Sequence, residues 1–125
     1  MYAGEFSKVF KELVADLEDT LVNKASDYAT DDVLSNFKVL SRLASELRIN
    51  VTTPLGYALF MVLMKLHRIC NLLFIQNSTP KNESVYDSFK DLGGYSILAL
   101  ALYEEKLRME SMVNEAMESM LCSEK

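Results

Sequence analysis

Apolar residues return at intervals of three and four along almost the whole chain, and few residues interrupt them. Only four Gly and two Pro are available to break helices in 125 residues, and period-two alternation is hard to find. That combination constrains the fold more than any single motif. It predicts an all-α protein: an antiparallel four-helix bundle-like domain over residues 1–108, then a C-terminal helical extension over 109–125.

The first helix is expected from about residue 4 to 26, with Phe6, Val9, Phe10, Leu13, Leu17 and Leu21 on one stripe. The polar run Asp27-Tyr28-Ala29-Thr30-Asp31-Asp32 follows, and Thr30, Asp31 or Asp32 can cap the second helix. That helix runs to about Arg48, with Leu34, Phe37, Leu40, Leu43, Ala44 and Leu47 expected inward. Thr53-Pro54 marks the third helix, with Thr at the cap and Pro at the first helical position. It runs to about Ile75. Leu59, Val62, Leu63, Leu66, Ile69, Cys70 and Leu73 form its apolar arc, and Met61, Lys65, Arg68 and Asn71 the opposite one. A loop marked by Asn77-Ser78-Thr79-Pro80 leads to the fourth helix, which Asn82 or Ser84 can cap. Gly93-Gly94 inside it suggests that another helix or a ligand approaches its backbone closely. Met109, Met112, Val113, Ala116 and Met120 then form a stripe too narrow for a core helix and suited to a helix–helix seam, with a hinge expected at Glu105–Arg108.

Length allows one domain with a real core, and a chain half hydrophobic and one quarter charged is globular. A net charge of −5 argues against a general nucleic-acid binder. Cys70 and Cys122 stand far apart without metal-ligand or redox spacing, which suits a reducing cytoplasm. His67 is the single histidine, which disfavours a zinc site or a His-based triad. No signal peptide is evident at the N-terminus. The apolar run Leu55–Met64 is interrupted by Lys65, His67 and Arg68. It reads as a buried helix too short to span a bilayer, so no membrane partner is expected.

The stretch from Asn82 to Glu105 carries the first functional hint. At 100° per residue, Glu83, Asp87, Asp91 and Tyr95 drift slowly round one helix face, which Leu98 and Leu102 continue. Carboxylates at i, i+4 and i+8 repel one another. A face that passes from acidic to apolar places its acids at the rim of a core, looking at a metal, a basic partner or a ligand. An acidic first turn with ordinary amphipathicity gives the same pattern. In an antiparallel bundle the polar arcs of the third and fourth helices either form a salt-bridge lattice or line a pocket. Basic groups with an aromatic suit a phosphate and a base; carboxylates suit Mg²⁺ or sugar hydroxyls.

The order Asp27-Tyr28, Asn36-Phe37-Lys38, Met64-Lys65 with Arg68 and Asn71, then Asn82-Glu83-Ser84 with Asp87, Asp91-Leu92 and Tyr95, resembles the phage nucleotide-modification-associated domain 1 family over residues 20–105. The resemblance implies a phage protein acting on nucleotide biology in the bacterial cytoplasm. Residues 87–102 also distantly resemble the last metal-binding helix of MazG-like all-α nucleoside triphosphate pyrophosphatases. Here the earlier Glu-x-x-Glu is missing, with Lys65 and Arg68 in its place, and the last pair is Asp87 and Asp91.

The reading that follows is a non-catalytic protein, needing no cofactor, that binds and can sequester a nucleotide or nucleotide-derived signal, an anti-defence role. The candidate ligand-binding set is Asp27, Tyr28, Asn36, Lys38, Lys65, Arg68, Asn71, Asp87, Asp91 and Tyr95. Arg68 and Lys65 would meet phosphate, Tyr95 or Tyr28 would stack on a base, and Asp87 or Asp91 would bind hydroxyl or amino groups. Arg68 is expected on the polar arc, where truncation opens no core cavity. The alternative is a Mg²⁺-dependent pyrophosphatase with metal held by Glu83, Asp87 and Asp91. A third reading is a protein-interaction module acting through the Met-rich tail. A homo-oligomer is expected from the same tail.

Overall fold

The computed structural model describes residues 1–28, 34–76 and 85–123, and within them the chain is all-α without a strand. The helices are α1 (Ala3–Tyr28), α2 (Ser35–Glu46), α3 (Pro54–Cys70) and α4 (Val85–Ser123). A π-helical stretch, Asn71–Gln76, continues α3 without a break. α4 passes through Glu105–Arg108 as regular helix, so the expected hinge is absent. Its 39 residues span about 58 Å. The cap residues expected at Thr30–Asp32 and Asn82–Ser84 lie outside the described residues.

The connection between α2 and α3 is tightly specified. α2 ends in a Schellman arrangement: the Ile49 amide donates to the Ala44 carbonyl at 3.0 Å and the Arg48 amide to the Ser45 carbonyl at 3.1 Å. Arg48 therefore sits in the left-handed region, at φ 57°, where glycine is usual. Asn50 Oδ1 accepts from the Thr52 amide at 3.0 Å. Thr53 caps α3 as expected, its Oγ1 accepting from the Gly56 amide at 3.1 Å. The Asn50 carbonyl lies so close to Gly56 that a Cβ there would stand 1.7 Å from its oxygen.

α3 and α4 form the largest interface, α2 packs on α3, and α1 meets chiefly the π-helical stretch. Lys65 Nζ lies 3.0 Å from Asp91 Oδ2, and Pro54 and Leu102 line a common groove. These pairs fix an antiparallel register for α3 and α4, with Arg68 level with Ser88 and α3 beginning level with Leu102. The α4 seam in that interface is Ser88, Leu92, Tyr95, Ala99 and Leu102, all buried or half-buried.

The core is small. Leu40, Ala58, Leu63, Ile69, Leu72 and Ala99 are its buried apolar residues among those described. Most residues expected inward are instead exposed: the α1 stripe Phe6, Val9, Phe10, Leu13, Leu17 and Leu21; Leu34, Phe37 and Leu47 around α2; and Leu59, Leu66 and Leu73 on the third helix. Buried in their stead are Arg68, Asn71 and Ser88. The expectation for Arg68 is thus corrected: it is 2% exposed and ranks among the largest fully buried side chains. Pro54–Ile75 as a whole, unlike the apolar run Leu55–Met64 alone, is long and apolar enough to cross a membrane by length and composition only, and one third of its window is buried within the fold.

Candidate functional site

The candidate residues on α3 and α4 meet where α3 passes into its π-helical stretch. Lys65 is the rim residue. Its ion pair with Asp91 joins a largely buried ammonium, 17% exposed, to a half-exposed carboxylate. One helical turn further, Arg68 is enclosed at the level of the fully buried Ser88, and Asn71 (3% exposed) is buried a turn beyond it. Lys65, Arg68, Asn71, Asp87 and Ser88 each take part in a hydrogen bond, ion pair, ring contact or electrostatic interaction. A guanidinium, an amide and a hydroxyl thus occupy buried positions where a helical bundle normally places Leu or Ile.

Local structure explains the arrangement. The seam of α4 repeats at intervals of four and three, and Ser88 opens it. Its small side chain leaves room for the long side chain level with it on α3. On α3, the widening into π-helix at Asn71 changes the phase of the side chains. Asn71 and Leu72 are both buried, whereas Leu73, Phe74 and Ile75 are exposed.

The other candidates are distributed around this centre. Asn36 lies in the first turn of α2; its Oδ1 is buried and has no hydrogen-bond partner among the described residues. Lys38, one residue beyond Phe37, is exposed and engaged by a partner. Asp87 is exposed on the first turn of α4. Asp27 and Tyr28 are the last residues of α1, and their side chains, like the whole of Glu83, fall outside what is described. Asn23 is the one described side chain of α1 that is not exposed, which places the contact of α1 toward its C-terminal part. Tyr95 is half-buried two turns away from the centre. It lines an apolar groove of about 650 Å³ with Tyr57, Met61, Leu98 and Leu102. A second groove of about 530 Å³, on the other flank of the α3 N-terminus, is lined by Leu47, Ile49, Leu59, Leu102, Lys106 and Met109 among others.

His67 stands beside Arg68, and burial pushes its imidazole pKa below the ordinary value. Among the described residues no group of three or more His, Cys, Asp or Glu is placed to hold a metal ion. Apart from their own helix, no heavy atom of the described residues lies within 4 Å of the position a Cβ would take on Gly93 or Gly94, so the close approach expected there is absent among the described residues. Sequence reasoning missed Ser88, Tyr57 and Met61. The four–three seam through Leu92, Tyr95, Ala99 and Leu102 was the signal that could have found Ser88.

Comparison of the chain with protein-family models, with curated proteins and with solved structures gives no match.

Proposed function

We propose that this chain is a non-catalytic binding protein for a phosphate-bearing nucleotide or nucleotide-derived signal, held at the polar centre where the end of α3 meets the start of α4. The observation that carries the reading is the burial of Arg68 beside Asn71 and Ser88. Burying a charge and two polar groups costs several kcal/mol before compensation, and an apolar layer there would be as stable or more so. Meanwhile large apolar side chains lie outside on α1, α2 and α4. A chain that keeps its polar groups inside and its apolar groups outside is not arranged for its own stability alone. A guanidinium and a neighbouring ammonium, with an amide at hand, suit the oxygens of a phosphate. Asp91 is the group a phosphate would displace from Lys65. The resemblance to the phage nucleotide-modification-associated domain adds the setting: a bacterial cytoplasm, where sequestering a host signal would be an anti-defence role.

A nucleotide panel, cyclic and linear, tested by calorimetry with and without Mg²⁺ checks this. Intact ligand bound by the wild type, with at least tenfold weaker binding by a folded Lys65→Gln variant, is the expected result. Turnover of a nucleoside triphosphate only with Mg²⁺ would instead give the pyrophosphatase reading. No heat with any member would leave the protein-interaction reading.

A further inference from the structure

The seam that α4 uses against α3 does not stop where α3 stops. Ser88, Leu92, Tyr95, Ala99 and Leu102 follow one another at intervals of four and three. The same alternation continues without a slip through Lys106, Met109, Val113, Ala116 and Met120. α3 begins level with Leu102, so beyond the groove that Lys106 and Met109 share with the α2–α3 connection the second half of the seam runs on along one helix, with no other helix among the described residues packed extensively on it. Met109, Val113 and Met120 are each more than half exposed, as are the adjacent Met112, Met117 and Leu121. A 3.5-residue repeat is the pattern of a helix wound on another helix. It would be without purpose on a helix facing water.

We propose that residues 106–123 of α4 pair with the same residues of a second copy of this chain, antiparallel, about a two-fold axis near Asn114–Glu115. The inference is independent of the ligand reading above. Three observations select this occupant. First, the seam is self-complementary in that direction: Met109 of each chain falls level with Met120 of the other, and Val113 with Ala116. Second, the lengths fit. The far end of the second tail arrives level with Lys106, one turn short of where α3 begins. The groove between Pro54, Leu102 and Met109 lies at that junction. Third, charge favours the antiparallel sense. Parallel pairing would set Glu110, Glu115 and Glu118 of one chain level with the same acids of the other; antiparallel pairing sets them level with Ser119, Asn114 and Ser111.

The exposed area agrees. A compact monomer of 14.2 kDa exposes about 6,800 Å². This chain exposes 9807 Å², an excess of about 3,000 Å², several times the roughly 800 Å² per partner that a stable interface buries.

Light scattering and disulfide trapping on the full chain test the proposal. The wild type should have at least twice the mass of one chain. Val113→Glu, at an exposed position, should keep its circular dichroism and halve the mass. Orientation is read from chains carrying Met109→Cys or Met120→Cys, each with Cys122→Ser. Mixed and oxidised, the two should cross-link to each other faster than either cross-links to itself. A monomeric wild type, an unchanged mass for folded Val113→Glu, or faster self-linking of Met120→Cys would each overturn the proposal.

Discussion

A methyl group on Gly56 has nowhere to go. Its carbon would stand 1.7 Å from the Asn50 carbonyl oxygen, a backbone atom held by the turn that caps α3. Gly56→Ala should therefore destabilise the protein by about 2–3 kcal/mol or more in urea unfolding, unlike most helical Gly→Ala changes. Arg48 presents the reverse case. It holds the left-handed position of the Schellman turn at a cost of roughly 1–2 kcal/mol, so Arg48→Gly should be neutral to stabilising by up to about 1 kcal/mol, once glycine's extra freedom in the unfolded chain is counted. Arg68→Ala leaves a buried void among polar groups and should cost about 3 kcal/mol or more, while Arg68→Met, which keeps the volume, should cost less. A smaller penalty for alanine than for methionine would mean that the side chain is not packed as described. Asp91→Asn lies at the half-exposed rim. Its loss should cost at most about 1 kcal/mol and fade in high salt, while weakening a phosphate ligand's binding little if Lys65 is the group that matters.

The helices themselves were largely legible in the sequence, and the faces they bury were not. Thr53-Pro54 announces the start of α3 through chemistry local to four residues, and the structure uses it so. Which arc of α3 turns inward depends instead on where α4 lies. The apolar-inside rule selects Leu63 and Ile69, which are buried, but also Leu59, Leu66 and Leu73, which are exposed; the fold buries Arg68 and Leu72 as well. That rule presumes that one chain contains all the partners its apolar residues require. It also presumes a constant 3.6-residue turn, which the π-helical stretch breaks at Asn71. For the site, Lys65 and Asp91 were read as able to face each other, and they do. Ser88 carries no hydrophobic signal of its own, and only its place in the four–three seam with Leu92, Tyr95, Ala99 and Leu102 marks it. Within α4, Gly93 and Gly94 are open to solvent, so Gly93→Ala and Gly94→Ala should each stabilise the helix by roughly 1 kcal/mol. Within α3, His67 carries a pH dependence with a definite sign. Its folded pKa lies below 6.5, so the unfolded chain takes up more protons in mildly acidic solution. Stability should fall as pH drops through that value, and His67→Gln should reduce the loss of Tm between pH 7.5 and 5.5.

At the scale of the molecule, the balance of surfaces governs behaviour. A fold that gains its remaining burial from a second copy has a melting temperature that rises with protein concentration. Removing residues 109–125 should abolish that dependence and lower the mass seen by light scattering, while leaving helicity per residue nearly unchanged.

The thin attachment of α1 has its own consequence. Among its described side chains only Asn23 escapes exposure, and its contact with the rest is chiefly with the π-helical stretch. A helix so held keeps its backbone hydrogen bonds with little help from packing. Its amides should therefore exchange with deuterium within seconds in dilute solution, while those around Leu63 and Ala99 persist far longer. Slow exchange along Phe6–Leu21 would report that this stripe, too, lies under something, and the concentration at which it slows would say how tightly.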